Sequence, residues 1–65
     1  MKIIVNGQTV DTAAGTLAGL LAELGKADAK VATSLNEVFV PKTLRDTQSI
    51  AEGDRIEIVA PRQGG

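Results

Sequence analysis

The chain predicts an α+β domain in which one main helix packs against a mixed sheet. Three observations carry that prediction. Short β-branched runs stand at both ends, at Lys2-Ile3-Ile4-Val5 and at Arg55-Ile56-Glu57-Ile58-Val59-Ala60. One stretch, Leu17 to Leu24, repeats leucine with helical spacing. The 65 residues contain no internal repeat and suffice for a single domain with a modest core, since a chain this short buries only about 60% of the surface its unfolded form exposes.

The first strand is followed at once by Asn6-Gly7, the dipeptide best suited to the positive φ values of a type I′ turn. A second strand, Gln8 to Asp11, therefore folds back on the first, with Ile3, Val5 and Val10 on one face. Thr16 is placed to cap a helix in which Leu17, Leu20, Leu21 and Leu24 form a single apolar stripe, and Gly25 stands where a left-handed residue ends it. Two to three turns are too few for a stable isolated helix, so the stripe is expected to pack on the sheet rather than to bind a partner. Gly19, inside that helix, weakens it.

After a polar connector, Val31 to Leu35 is expected as a third strand, Asn36-Glu37 as a turn, and Val38-Phe39-Val40 as a fourth strand stopped by Pro41. Lys42 to Gln48 shows no dominant period and reads as a loop or a single 3₁₀ turn. Ser49-Ile50-Ala51 adds a short extended piece before the Glu52-Gly53-Asp54 turn, where the two carboxylates serve local turn chemistry. The final strand is the clearest of all, with Ile56 and Ile58 alternating against Arg55, Glu57 and Val59. A hairpin, a crossover helix and a strong last strand lying beside the first make the β-grasp arrangement. It divides the chain into a domain, residues 1–60, and a flexible C-terminal tail, residues 61–65.

Composition excludes several classes of function. Seven Lys and Arg against eight Asp and Glu leave a net charge of −1 with no basic cluster, and Phe39 is the sole aromatic, so neither nucleic acid nor a membrane surface is an expected partner. Cysteine and histidine are absent, which removes thiolate nucleophiles, Cys/His metal sites and the usual base near neutral pH. No catalytic residue, metal site or bound cofactor is therefore expected. The start of the chain has too short an apolar run for a signal peptide or a membrane span, and a cytoplasmic protein, monomeric when free, is the expectation.

The tail is Pro61-Arg62-Gln63-Gly64-Gly65. Glycine without Cβ lets such an end thread a narrow channel and set an α-carboxyl group against a reactive centre.

The hairpin ending in Asn6-Gly7, the Gly15-Thr16 start of the Leu20-Leu21 helix, the segment Val31-Ala32…Leu35-Asn36…Val40-Pro41, the run Gly53-Asp54-Arg55-Ile56-Glu57-Ile58-Val59 and the final Gly64-Gly65 together resemble the ThiS family of sulfur carriers in thiamine biosynthesis. The resemblance covers essentially the whole chain. It departs at Glu37, where a glycine is common, and at Thr33-Ser34, more polar than usual. It implies a ubiquitin-like fold and the role of a protein co-substrate rather than an enzyme. An ATP-dependent activating enzyme would adenylate the carboxylate of Gly65, sulfur drawn from cysteine through a desulfurase would convert it to a thiocarboxylate, and thiazole synthase would receive that sulfur. Gly64 is its slim neighbour, with Gln63 and Arg62 behind it; Arg62 is able to meet an acidic channel rim. Related carriers feed molybdopterin synthesis, and ubiquitin-like modifiers use the same diglycine for isopeptide bonds. The chain's length favours the thiamine branch over the first.

A carrier needs a docking surface. If Ile3, Val5, Val40, Ile56 and Ile58 face the helix, then Ile4, Phe39 and Val59 lie on the opposite face of the sheet, where an apolar cluster is a candidate partner site.

Overall fold

The computed structural model describes residues 1–60, and residues 61–65 lie outside the described part of the chain. Strands β1 (Lys2–Val5) and β2 (Gln8–Asp11) form the expected antiparallel hairpin, with Ile3 opposite Val10. Asn6 and Gly7 between them have φ of 50° and 83°, the two positive values that a type I′ turn requires. A second such turn, Asn36-Glu37 at 49° and 71°, joins β3 (Ala32–Leu35) to β4 (Val38–Val40).

Helix α1 (Leu17–Glu23) begins where Thr16, in extended conformation, accepts the Gly19 N–H on its hydroxyl at 3.1 Å. It ends because Gly25 turns left-handed, at φ 74°. The Gly25 N–H then donates to the Ala22 carbonyl at 3.1 Å and the Lys26 N–H to the Leu21 carbonyl at 2.8 Å, so the last turn's carbonyls are satisfied by the Schellman pair of bonds. Gly19 has a packing reason for its place in the helix: a Cβ there would meet Ala14 Cβ and Thr16 Oγ1 at 3.3 Å. The connector from β2 runs that close to the helix.

β5 (Arg55–Val59) is the central strand of a sheet ordered β2-β1-β5-β3-β4. It runs parallel to β1, with Val5 beside Ile56, and antiparallel to β3, with Thr33 beside Ile58. The β-grasp order expected from the sequence is the observed one. Ile3, Val5, Val40, Ile56 and Ile58 all lie buried under Leu17, Leu20 and Leu21, and each such side chain contributes about 1.5–3 kcal/mol of transfer free energy. Ile50 joins this core, because its N–H donates to the Gly15 carbonyl at 3.1 Å while Thr16 and Ser49 form an isolated bridge.

Both long strands are one residue shorter than expected. β3 starts at Ala32 because the Val31 carbonyl accepts the Arg45 Nη2 at 2.6 Å instead of joining a ladder, and β5 ends at Val59, the partner of Ala32, so that Ala60 has no residue opposite it in β3. The aperiodic segment after Pro41 contains a 3₁₀ turn, Lys42–Leu44. It is fastened by Arg45, which is only 7% exposed and whose carbonyl also accepts the Ala18 N–H at 3.1 Å.

Candidate functional site

Pairing registers decide which side chains share the outer, helix-free face of the sheet. Arg55, Glu57 and Val59 of β5, Ala32 and Ser34 of β3, and Phe39 of β4 lie on it, because Val59 is paired with Ala32, Glu57 with Ser34, and Ser34 with Phe39. Phe39 is 65% exposed and Val59 59% exposed, and both line one shallow concavity with Ala32, Ser34 and Glu57. Two of the three expected docking residues thus come together. Ile4 lies on the same face but is half-buried, beside Arg55 at the start of β5, while Val59 is at its end. Four residue steps along β5, from Arg55 to Val59, separate the two, which at a strand's rise is about 13 Å.

The apolar surface instead continues round the β4 edge. Val38 is 66% exposed and Leu44 52% exposed, and they line a groove with Leu35, Val40 and Pro41 that Phe39 also borders. Sequence reading placed Val38 in a strand and left Leu44 as an isolated apolar residue, so neither was named as a surface. The available signal was Leu44 itself, a leucine without a periodic partner just after a strand-ending proline.

The turn asparagines were also missed. Asn6 Oδ1 accepts the Ile58 N–H at 2.8 Å and its Nδ2 donates to the Ile58 carbonyl at 3.1 Å. Asn36 Oδ1 accepts the Arg55 N–H at 2.9 Å and its Nδ2 donates to Asp54 Oδ1 at 3.1 Å. The two hairpin turns therefore hold β5 near its two ends. Asp54 Oδ2 also accepts the Ala51 N–H at 2.8 Å and so serves the turn as expected. Glu52 instead accepts the Lys2 N–H at 3.0 Å and ties the turn to the start of β1, a long-range contact that the local reading did not contain.

Charge gathers at the opposite end of the sheet from Val59. There the Asp11 carboxyl is held below the usual carboxylate range, chiefly by its hydrogen bond from the amino terminus and then by the charge of Lys2. Among the described residues no group of acidic side chains is arranged to hold a metal, and no helix is long and apolar enough to cross a membrane. Arg62, Gln63, Gly64 and Gly65, expected as the reacting tail, lie outside the described residues.

Known proteins give this arrangement a family. The crystal structure of a thiamine biosynthesis protein (ThiS) from Geobacter metallireducens superposes with a TM-score of 0.86 at 26% identity, covering all of both chains. A solution structure of a thiamine biosynthesis protein from the same organism gives 0.78 at 32% identity, covering all of this chain and 88% of the other. A protein named thiazole synthase from Paramagnetospirillum magneticum is 39% identical over 66 residues, and the chain spans only 20% of that protein's length. The family model described as ThiS family matches residues 3–65, and the chain accordingly belongs to the ThiS family.

Proposed function

We infer that the protein is the sulfur carrier of thiazole formation in thiamine biosynthesis, with the carboxylate of Gly65 as its reacting group. The observation that carries this reading is the match of the ThiS family across residues 3–65, the diglycine included. The fold supports it, because β5, which precedes the tail in sequence, is paired on both sides. The thiazole synthase relative supports the partner, since a stretch like this chain occurs within a longer protein of that name.

A carboxylate does not exchange its oxygen until that oxygen becomes a good leaving group. In the proposed sequence an oxygen of Gly65 attacks the α-phosphorus of ATP on an activating enzyme, and pyrophosphate departs. The outer sulfur of a persulfide, formed when a desulfurase moves sulfur from cysteine onto an enzyme thiol, then attacks the carbonyl carbon and expels AMP. A second thiol cleaves the resulting acyl disulfide, leaving as an enzyme disulfide. The thiocarboxylate left on Gly65 gives its sulfur to thiazole synthase. ATP is bound by the activating enzyme, and the carrier supplies no catalytic side chain. Phe39 and Val59 form the docking surface, with Val38 and Leu44 extending it over the sheet edge.

Deletion of the gene tests the pathway. The expected result is a thiamine requirement relieved by the thiazole moiety, with molybdoenzymes unaffected. Loss of molybdoenzyme activity without a thiamine requirement would assign the carrier to molybdopterin synthesis instead.

A further inference from the structure

We propose that Asn6 is a positioning residue for the reactive tail, holding the end of β5 in the direction from which the tail departs. β1 stops at Val5, whose partner on β5 is Ile56, because the chain turns at Asn6-Gly7. β5 continues to Val59, so beyond Ile56 its β1 side would be bare. The Asn6 carboxamide takes the place of the missing strand, accepting the Ile58 N–H at 2.8 Å and donating to the Ile58 carbonyl at 3.1 Å. The left-handed backbone of Asn6, at φ 50°, allows its short side chain to reach across 52 positions of sequence.

Pro61 follows Ile58 by three residues in sequence. Ala60, the last described residue, follows Ile58 by two, so the direction of β5 at Ile58 is the direction in which the described chain leaves the sheet. Misplacement by about 1 Å is enough to cost a reaction orders of magnitude in rate. The role rests on the carrier reading above.

Asn36 supplies the control, because at φ 49° its carboxamide accepts the Arg55 N–H at the end of β5 remote from the tail, with its second bond going to the Asp54 carboxylate just before the strand. Asn6→Gly and Asn36→Gly each keep a residue at ease with positive φ and each delete one side-chain clamp. Both are compared with the wild-type chain for ATP-dependent pyrophosphate release by the adenylating enzyme of a ThiS pathway. Asn6→Gly is expected to lower kcat about ten-fold with KM changed less than about two-fold, since the docking face is untouched. Asn36→Gly should leave kcat unchanged while losing comparable thermal stability; because Asn36 lines the groove with Val38 and Leu44, the control is read in kcat alone. Asn6→Asp, which keeps the acceptor for the Ile58 N–H, should fall between wild type and Asn6→Gly. Equal losses of kcat in the two glycine variants, or an unchanged kcat in Asn6→Gly, would overturn the positioning role while wild-type turnover upheld the carrier. A wild-type chain that releases no pyrophosphate overturns the carrier reading, and the positioning role with it.

Discussion

The Arg45 guanidinium donates through Nε to the Thr33 hydroxyl at 3.0 Å, and Thr33 in turn donates to the Val40 carbonyl at 2.9 Å. This relay lies inside an otherwise aliphatic core and joins the segment after Pro41 to β3 and β4. Thr33 is 2% exposed, so its partners cannot turn to water if the hydroxyl is lost. Thr33→Val is nearly isosteric and a better strand former, yet it should destabilise the fold by about 1–3 kcal/mol. Urea unfolding checks this; an unchanged or raised midpoint would show that the relay contributes nothing.

Glu37 has φ of 71°, where a residue with a Cβ is strained and glycine is not. Replacing it with glycine should therefore stabilise the protein by about 1 kcal/mol, the relief of strain outweighing the entropy that glycine loses on folding. Thermal unfolding of Glu37→Gly is the check, and a lower midpoint would contradict it.

Asp11 makes stability depend on acid. Its carboxyl is held below the usual carboxylate range by the amino terminus first and Lys2 second, so its contribution is present above the unfolded value of 3.8 and is lost as pH falls through the folded one. Wild type should thus exceed Asp11→Asn in stability near neutral pH, and the gap should narrow below 3.8. Lys2 and Asp11 are both largely exposed, so added salt should narrow it as well. Urea midpoints of both proteins across pH would show the convergence, or its absence.

Phe39 and Val59 are exposed and make no core contact, so charge placed there should alter binding without altering the fold. Phe39→Asp and Val59→Asp are each expected to weaken binding to the adenylating enzyme at least about ten-fold, about 1.4 kcal/mol. Calorimetric titration against each variant measures this, with unfolding midpoints confirming intact domains. Unchanged affinity in both would remove the face from the interface.

Most of the architecture was legible because each element carries its own local signal. The leucine stripe from Leu17, the Thr16 cap, the Gly25 stop and the alternation of Ile56 and Ile58 all depend on spacing that a sequence displays directly. What escaped were long-range relations. Nothing near Arg45 announces that its guanidinium will be buried against Thr33, and Thr33 looked merely polar for a strand. Asn6 was legible as a turn residue but not as a clamp, because its partner Ile58 lies 52 positions away. The proposed docking face was half legible for the same reason: alternation assigned Ile4, Phe39 and Val59 to one face, but only the pairing registers show that Ile4 stands apart, and only the packing at the β4 edge leaves Val38 and Leu44 exposed beside Phe39.

The central claim is that the carboxylate of Gly65 becomes a thiocarboxylate. Intact-mass analysis after incubation with ATP, the adenylating enzyme, a cysteine desulfurase and cysteine tests it directly. The predicted result is a gain equal to the difference between one sulfur and one oxygen, confined to the C-terminal fragment and dependent on ATP. An unchanged mass, with an enzyme that modifies its own carrier under the same conditions, would contradict it.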